Sequence, residues 1–192
     1  MAVRVVLIRH GQTEWTMTNR HTGRTDISLT EQGRGEARKL AQRLTEFDFD
    51  LVLTSPASRT RETASIAGLG QAAVIDPDLW EWDYGIYEGE RTVDTRQEIP
   101  GWSVWTHEIV GGESLQQVGK RCDRVIERIK PVGGDVAVFG HGHALRVLAA
   151  RWLGQDPGLG AHLVLSTASL SILGFERDTP AIIRWNDVGP DG

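Results

Sequence analysis

The stretch Val3-Arg4-Val5-Val6-Leu7-Ile8-Arg9-His10-Gly11 opens on an apolar run that ends in a cation, an imidazole and a turn residue. The run has the length of a buried strand and is too short for a helix of any consequence. A second segment repeats the pattern much later in the chain: Val136-Ala137-Val138-Phe139-Gly140-His141-Gly142-His143. In open α/β sheets, ligands bind beyond the carboxyl ends of the strands. Two strands that each deliver an imidazole at a glycine turn therefore predict one site assembled from both ends of the chain.

Between these strands, apolar periodicities alternate. Strand patterns cover residues 3–8, 50–54, 73–75 and 136–139, and helix patterns cover 58–67, 113–130 and 144–153. An earlier helix carries Ala37, Leu40, Ala41 and Leu44 at helical spacing, with Ser28 and Glu31 spaced as its capping box. A polar loop fills residues 11–28. Residues 76–112 hold Trp80, Trp82, Trp102 and Trp105 and read as an irregular excursion with one or two short helices, walling the site. Residues 170–175 and 181–185 form a hairpin at a sheet edge, turning at Arg177-Asp178. Strands alternating with helices predict an α/β three-layer sandwich, with a mainly parallel central sheet and helices on both faces.

The 192 residues suit one domain with a substantial core, read as spanning 1–192. A net charge of −5 argues against nucleic acid as a partner but leaves room for a local arginine cluster that takes an anionic metabolite. The one cysteine, Cys122, sits on the apolar stripe of a helix and reads as a buried structural thiol. With no internal disulfide, no signal-peptide pattern and no apolar run of membrane-spanning length, the expectation is a cytoplasmic protein without a membrane partner. Monomer and homodimer both remain open.

Four segments carry the chemistry: Arg9-His10-Gly11; Ser55-Pro56-Ala57-Ser58-Arg59, followed by Thr60, Glu62, Thr63 and Ala64; the Glu-x-x-x-Gly-x-x-Glu-Gly pattern at 81–89; and Gly140-His141-Gly142. In order and spacing they resemble the histidine phosphatase superfamily, the phosphoglycerate-mutase-like family, over nearly the whole chain. Glu81-Trp82-Asp83-Tyr84-Gly85, Gly112-Glu113-Ser114 and Gly140-His141-Gly142-His143-Ala144-Leu145-Arg146 are similar to its acid-phosphatase and sugar-bisphosphatase branch.

The resemblance implies a metal-independent phosphomonoester hydrolase without a cofactor, acting on a small phosphorylated metabolite. His10 is then the nucleophile that forms a phosphohistidine, its other ring nitrogen held by a backbone carbonyl. Arg9, Arg59 and His141 grip the phosphoryl oxygens, with the N–H of Gly142 at a helix start beside them. Glu81 protonates the leaving oxygen, desolvated by Trp80 and Trp82. Thr16, Thr22, Gly23, Tyr84 and His143 are implied substrate contacts, although many family members carry Asn at position 16. Trp15, Trp102, Trp105 and His107 are expected to select the substrate.

Other residues receive blander readings. Glu88 braces its loop. Arg20, Arg24, Arg61 and Arg146 are surface or wall residues, with Arg24 the one that could reach a second phosphate. His21 and His162 have no role. A metal site at His141, His143, His10 and an acid is disfavoured by the adjacent Arg9 and Arg59. Phosphoglycerate mutase-type transfer and a non-catalytic phosphate-binding module are the alternative functions. The compact middle segment and the short tail at 187–192 favour hydrolysis over transfer, because a mutase must keep water from its intermediate.

Overall fold

In the computed structural model, which describes residues 3–190, the opening apolar run forms β1 (Arg4–Arg9), the hub of a six-stranded sheet. β1 pairs in parallel with β4 (Asp135–Gly140), which pairs in parallel with β2 (Phe49–Thr54), which pairs in parallel with β3 (Ala73–Ile75). On its other side β1 pairs antiparallel with β5 (Leu170–Glu176), and β5 with β6 (Thr179–Asp187). The order is β3-β2-β4-β1-β5-β6, so the sheet is mainly parallel with an antiparallel hairpin at one edge.

The continuous apolar runs of β1 and β4 are explained by burial on both faces. Side chains alternate across a strand, so odd and even positions enter different cores. Val5, Leu7, Val136 and Val138 pack with one cluster; Val6, Ile8, Ala137 and Phe139 pack with the other. The first cluster is covered by α5 (Leu115–Ile129) and α6 (Gly142–Trp152), through Val118, Cys122, Val125, Ile129, Leu145 and Trp152. The second is covered by α2 (Glu31–Leu44) and α3 (Ser58–Ile66), through Leu40, Leu44 and Ala64. These are the three layers that the alternation of patterns predicts. Cys122 is buried, as expected.

Three local expectations change. The polar loop at 11–28 contains a one-turn helix, α1 (Glu14–Met17), capped reciprocally by Thr13 and Thr16. The cap of α2 is Thr30, whose hydroxyl accepts from the Gly33 N–H, rather than Ser28. Thr30 is the residue adjacent to the first helical position, and only there can a side chain reach the third N–H. α6 starts at Gly142, earlier than the apolar pattern indicates, so His143 belongs to its first turn. The tryptophan-rich excursion holds α4 (Thr92–Glu98) and two short 3₁₀ turns. Of the tail at 187–192, Asp191 and Gly192 lie outside the described residues. Among the described residues, no helix is long and apolar enough to cross a membrane.

Two glycines set the approach of α2 to the loop after β1. A methyl group on Gly33 would lie 2.1 Å from the Gln12 carbonyl oxygen, and one on Gly11 would lie 2.4 Å from the Gly33 carbonyl oxygen. Gly35, in the same helix, has nothing within 4 Å of the equivalent point. Alanine gains about 1 kcal/mol over glycine in a helix interior. We therefore expect Gly35→Ala to raise stability by roughly that amount, whereas Gly33→Ala lowers it by about 1–3 kcal/mol through forced backbone displacement. Urea unfolding of the two variants checks the pair; equal effects would show that the contact between α2 and the loop is not tight.

Candidate active site

The register between β1 and β4 assembles the site. Arg9 lies opposite Gly140, so the residues that follow, His10 and His141, emerge side by side. The His10 N–H donates to the Gly140 carbonyl at 3.0 Å, and the two rings meet edge to face with centroids 5.2 Å apart. β2 ends beside them, with the Ser55 N–H donating to the Phe139 carbonyl.

His10 is buried, and its Nδ1 lies 2.8 Å from the Gly11 carbonyl oxygen. A carbonyl accepts only, so Nδ1 carries the proton and Nε2 keeps its lone pair. Burial, then the charges of Arg59 and Arg9, hold the imidazole well below its ordinary pKa of 6.5. His10 is thus a neutral imidazole with an unprotonated ring nitrogen. The Gly11 turn is fixed from α3: its N–H donates to the Thr63 hydroxyl, which donates to the Arg59 carbonyl. The Thr60 hydroxyl ties the same helix to the Ser55 and Ala57 carbonyls. This explains the threonines that follow Arg59 in the motif.

Behind His10, Arg59 and His141 are fully buried. Arg59 Nε donates to His141 Nδ1 at 3.2 Å, and the guanidinium also donates to the carbonyls of Thr22, Gly23 and Thr25. His141 Nε2 lies 2.7 Å from the Ser55 hydroxyl. With Nδ1 accepting, Nε2 carries the proton. In this structure the pair does not reach the cavity wall. Both side chains spend their hydrogen bonds on protein partners and hold the loop at 22–25 against His10, which differs from the direct phosphoryl contacts expected of them.

The cavity in front of His10 has a volume of about 370 Å³. Arg9, Glu81, Tyr84, Gly142 and His143 line it. Arg9 donates to the Leu165 carbonyl, but its buried Nε has no hydrogen-bond partner. A Cβ on Gly142 would stand only 3.3 Å from the Arg9 Cζ, so glycine lets the guanidinium lie flat against the start of α6. The Gly142 N–H is one of the unpaired first-turn donors of that helix. An unpaired guanidinium N–H and a helix N-terminus beside a neutral imidazole make an anion site.

The Glu81 carboxyl is buried at the same helix end. Its Oε1 accepts from the Trp82 and Ala144 N–H groups at 2.9 and 2.8 Å, and its Oε2 from the His143 N–H at 3.0 Å. Its segment is laced from α5 by Arg121, which donates to the carbonyls of Asp78 and Trp80 and pairs with Glu113 at 2.8 Å. Trp82 is fully buried in the core, its Nε1 donating to the Glu113 carbonyl. Trp80 lies under Arg24 instead.

The Tyr84 hydroxyl sits 2.5 Å from His143 Nδ1. Burial raises the Tyr84 pKa well above 10 and lowers that of His143 well below 6.5. A neutral phenol bonded to a neutral imidazole leaves His143 Nε2 to face the cavity.

Of the remaining expected contacts, Thr16 and Thr22 line the cavity, although the Thr16 hydroxyl is engaged with Thr13. Gly23 does not line it: its N–H donates to Glu88, and a Cβ would stand 2.5 Å from the Trp82 carbonyl oxygen. Glu88 braces the loop as expected, bonding the Gly23 and Thr25 N–H groups. Among the four residues expected to select the substrate, only Trp105 lines the cavity. Trp102 is buried in the core, Trp15 packs at Gly89, and His107 turns back on Ser103. Arg24 pairs with Asp83 at 3.6 Å and stays outside the cavity. His21, read as having no role, lines it beside Tyr84. Among the described residues no group of three His, Cys, Asp or Glu side chains is arranged to hold a metal ion.

The sequence profile of the histidine phosphatase superfamily (branch 1) matches residues 5–188. The chain belongs to that superfamily. It is 41% identical to an acid phosphatase of Mycobacterium tuberculosis, across 91% of this chain and 87% of that protein. It is 36% identical to sedoheptulose 1,7-bisphosphatase of Saccharomyces cerevisiae, across 79% of this chain and 68% of the yeast enzyme. A solved mycobacterial glucosyl-3-phosphoglycerate phosphatase in complex with VO3 superposes with a TM-score of 0.84 at 27% identity, covering 96% of this chain and 98% of that one. With phosphatases among both the sequence relatives and the solved structures, the chain is a phosphomonoester hydrolase of small phosphorylated metabolites.

Four imidazoles at the site share one electrostatic property. Burial is the largest cause that lowers His10, His21, His141 and His143 below 6.5, and His21 falls to about 4. Below pH 6.5 the unfolded chain therefore binds protons that the folded chain refuses. The stabilisation from keeping these rings neutral is complete above pH 6.5 and is lost as pH falls toward the folded values. We expect the carbon-bound proton NMR signals of these four rings not to titrate between pH 7.5 and 5.5, and the urea midpoint to fall over that range. A signal from His10 titrating near 6.5 would contradict the neutral state of that ring.

Proposed function

We propose that the enzyme hydrolyses phosphomonoesters in two steps through a phosphohistidine on His10. The observation that carries this reading is the fixed tautomer of His10: Nδ1–H bound to the Gly11 carbonyl, and an unprotonated Nε2 beside the unsatisfied Nε of Arg9. In the first step Nε2 attacks phosphorus in line, the P–N bond forms and the bond to the leaving oxygen breaks. Glu81 supplies the proton to that oxygen. In the second step water attacks the phosphohistidine, its proton passes to Glu81, the P–N bond breaks and inorganic phosphate leaves.

Arg9 and the Gly142 N–H are the donors for charge developing on the phosphoryl oxygens, where fixed donors contribute most. Arg59 and His141 position the imidazole and the loop at 22–25, and the network they form supports a role behind the nucleophile. Tyr84, through His143, orders the wall beyond it. Thr16 and Thr22 flank the space for the alcohol portion of the substrate. One domain spanning residues 1–192, action in the cytoplasm and independence from nucleic acid belong to the same proposal. The site residues supply donors, a nucleophile and an acid with no metal ligand set, so turnover should survive a chelator unchanged.

Hydrolysis rather than transfer is favoured by the phosphatases among both the sequence relatives and the solved structures. Incubation with 3-phosphoglycerate should release phosphate, or leave the compound unchanged, without accumulation of 2-phosphoglycerate.

His10→Ala should abolish turnover. Arg9→Gln should cost about 3 kcal/mol in kcat/KM, the scale of a lost oxyanion donor. Glu81→Gln should slow alkyl phosphates by roughly 10²–10⁴. It should slow p-nitrophenyl phosphate far less, because that leaving group needs no proton. Equal losses for both substrate types would refute the acid role of Glu81.

A further inference from the structure

The end of β6 departs from regular pairing. Leu170 lies opposite Asp187 and Ile172 opposite Arg184, so two residues of β6, Trp185 and Asn186, face the single Ser171 of β5. Such a bulge re-aims the side chains it carries. Asn186 takes a φ of +53°, in the left-handed region that asparagine tolerates better than most residues. Its N–H donates to the buried Ser171 hydroxyl at 2.9 Å. Both side chains of the bulge reach one short segment. Trp185 Nε1 donates to the Val164 carbonyl at 2.6 Å, and Asn186 Oδ1 accepts from the Ser166 N–H at 2.7 Å.

Leu165, between those two anchors, supplies the carbonyl that accepts from the Arg9 guanidinium. Among the described residues this is the one hydrogen bond that the Arg9 side chain makes. The turn that follows is wired to the same strand end. The Ser166 carbonyl accepts from the Ser169 hydroxyl at 2.7 Å, the Ala168 N–H donates to the His10 carbonyl at 3.1 Å, and the Arg9 N–H donates to the Ser169 carbonyl at 3.3 Å. Ala168 is held at a φ of +49°, a conformation that alanine rarely adopts, so these bonds and not local preference give the turn its shape. Asn186 itself does not line the cavity.

We propose that Asn186, seconded by Trp185, is a positioning residue for the phosphatase reaction: by anchoring the segment at 164–166 it fixes the Leu165 carbonyl, and through that carbonyl the Arg9 guanidinium, beside the attacking imidazole. This rests on the reading of His10 as nucleophile and Arg9 as phosphoryl donor. Without the anchor, Leu165 shifts and the guanidinium shifts with it. The imidazole keeps its tautomer, which the Gly11 carbonyl sets separately. A misplacement of about 1 Å at a catalytic group costs on the order of 10²-fold in rate, even when the change that causes it lies far from the chemistry. The position demands two properties at once, tolerance of a left-handed φ and a side-chain oxygen. Asparagine and aspartate have both, and glycine has only the first.

The test measures kcat/KM with p-nitrophenyl phosphate, whose leaving group needs no proton from Glu81, alongside urea unfolding of each variant. Asn186→Gly should fold and lower kcat/KM by roughly 10–100-fold. Asn186→Asp, which keeps the acceptor, should recover to within about threefold of wild type. The double variant Arg9→Gln/Asn186→Gly should match Arg9→Gln alone, because a residue that acts through Arg9 then has nothing left to position. Wild-type turnover in folded Asn186→Gly, no recovery in Asn186→Asp, or losses that multiply in the double variant would overturn the proposal. If Asn186→Gly does not fold, Trp185→Phe decides, since it removes the donor to Val164 and keeps an aromatic ring. Its loss should likewise vanish in the Arg9→Gln background, and wild-type turnover or a multiplying loss would overturn the anchor. If Arg9→Gln alone leaves kcat/KM unchanged, the donor role of Arg9 fails first and the positioning role falls with it.

Discussion

The hydrogen bond from His10 Nδ1–H to the Gly11 carbonyl decides what the site can do, because it leaves Nε2 unprotonated and aimed outward. An imidazole in water would spend much of its time with either nitrogen protonated, or with both. Here the carbonyl selects the tautomer, and burial together with Arg9 and Arg59 excludes the cation. The rest of the structure serves that one contact. Gly11 is held by Thr63 of α3, α2 presses on the turn through Gly33, and Arg59 fills the space behind the ring.

The second constraint is a division of labour at the N-terminus of α6. Its first N–H, on Gly142, remains open toward the cavity, and the next two, on His143 and Ala144, are taken by the Glu81 carboxyl. In the proposed mechanism one helix end thus serves both the phosphoryl oxygens and the acid that protonates the leaving oxygen beside them. Arg121 and Glu113, on and beside α5, hold the Glu81 segment at the required height. The proposed nucleophile comes from the start of the chain, the proposed acid from its middle and the helix end from its last third. The parallel register of β1 with β4 is what brings them within reach of one another.

Much of this could be read from the sequence, for reasons that apply unevenly. β1 and β4 were legible because strands buried on both faces are written as unbroken apolar runs. α5 was legible because its stripe has a clean helical period, and the Arg9-His10-Gly11 and Gly140-His141-Gly142 turns follow from their places after strands. The cap of α2 and the one-turn α1 were not, since Ser28, Thr30, Thr13 and Thr16 are all competent capping residues and local chemistry alone does not choose among them. The destinations of the tryptophans were equally hidden. Trp82 and Trp102 enter the core and Trp105 the cavity, a choice made by the irregular backbone of residues 76–112.

The most direct measurement is rapid acid-free quenching of the enzyme during steady turnover of a phosphomonoester, followed by peptide mapping of the bound phosphoryl group. A single alkali-stable, acid-labile adduct on His10 is expected, formed at least as fast as product appears and missing from the His10→Ala protein. Turnover that continues with no adduct at His10, or with the phosphoryl group trapped on another residue, would contradict it.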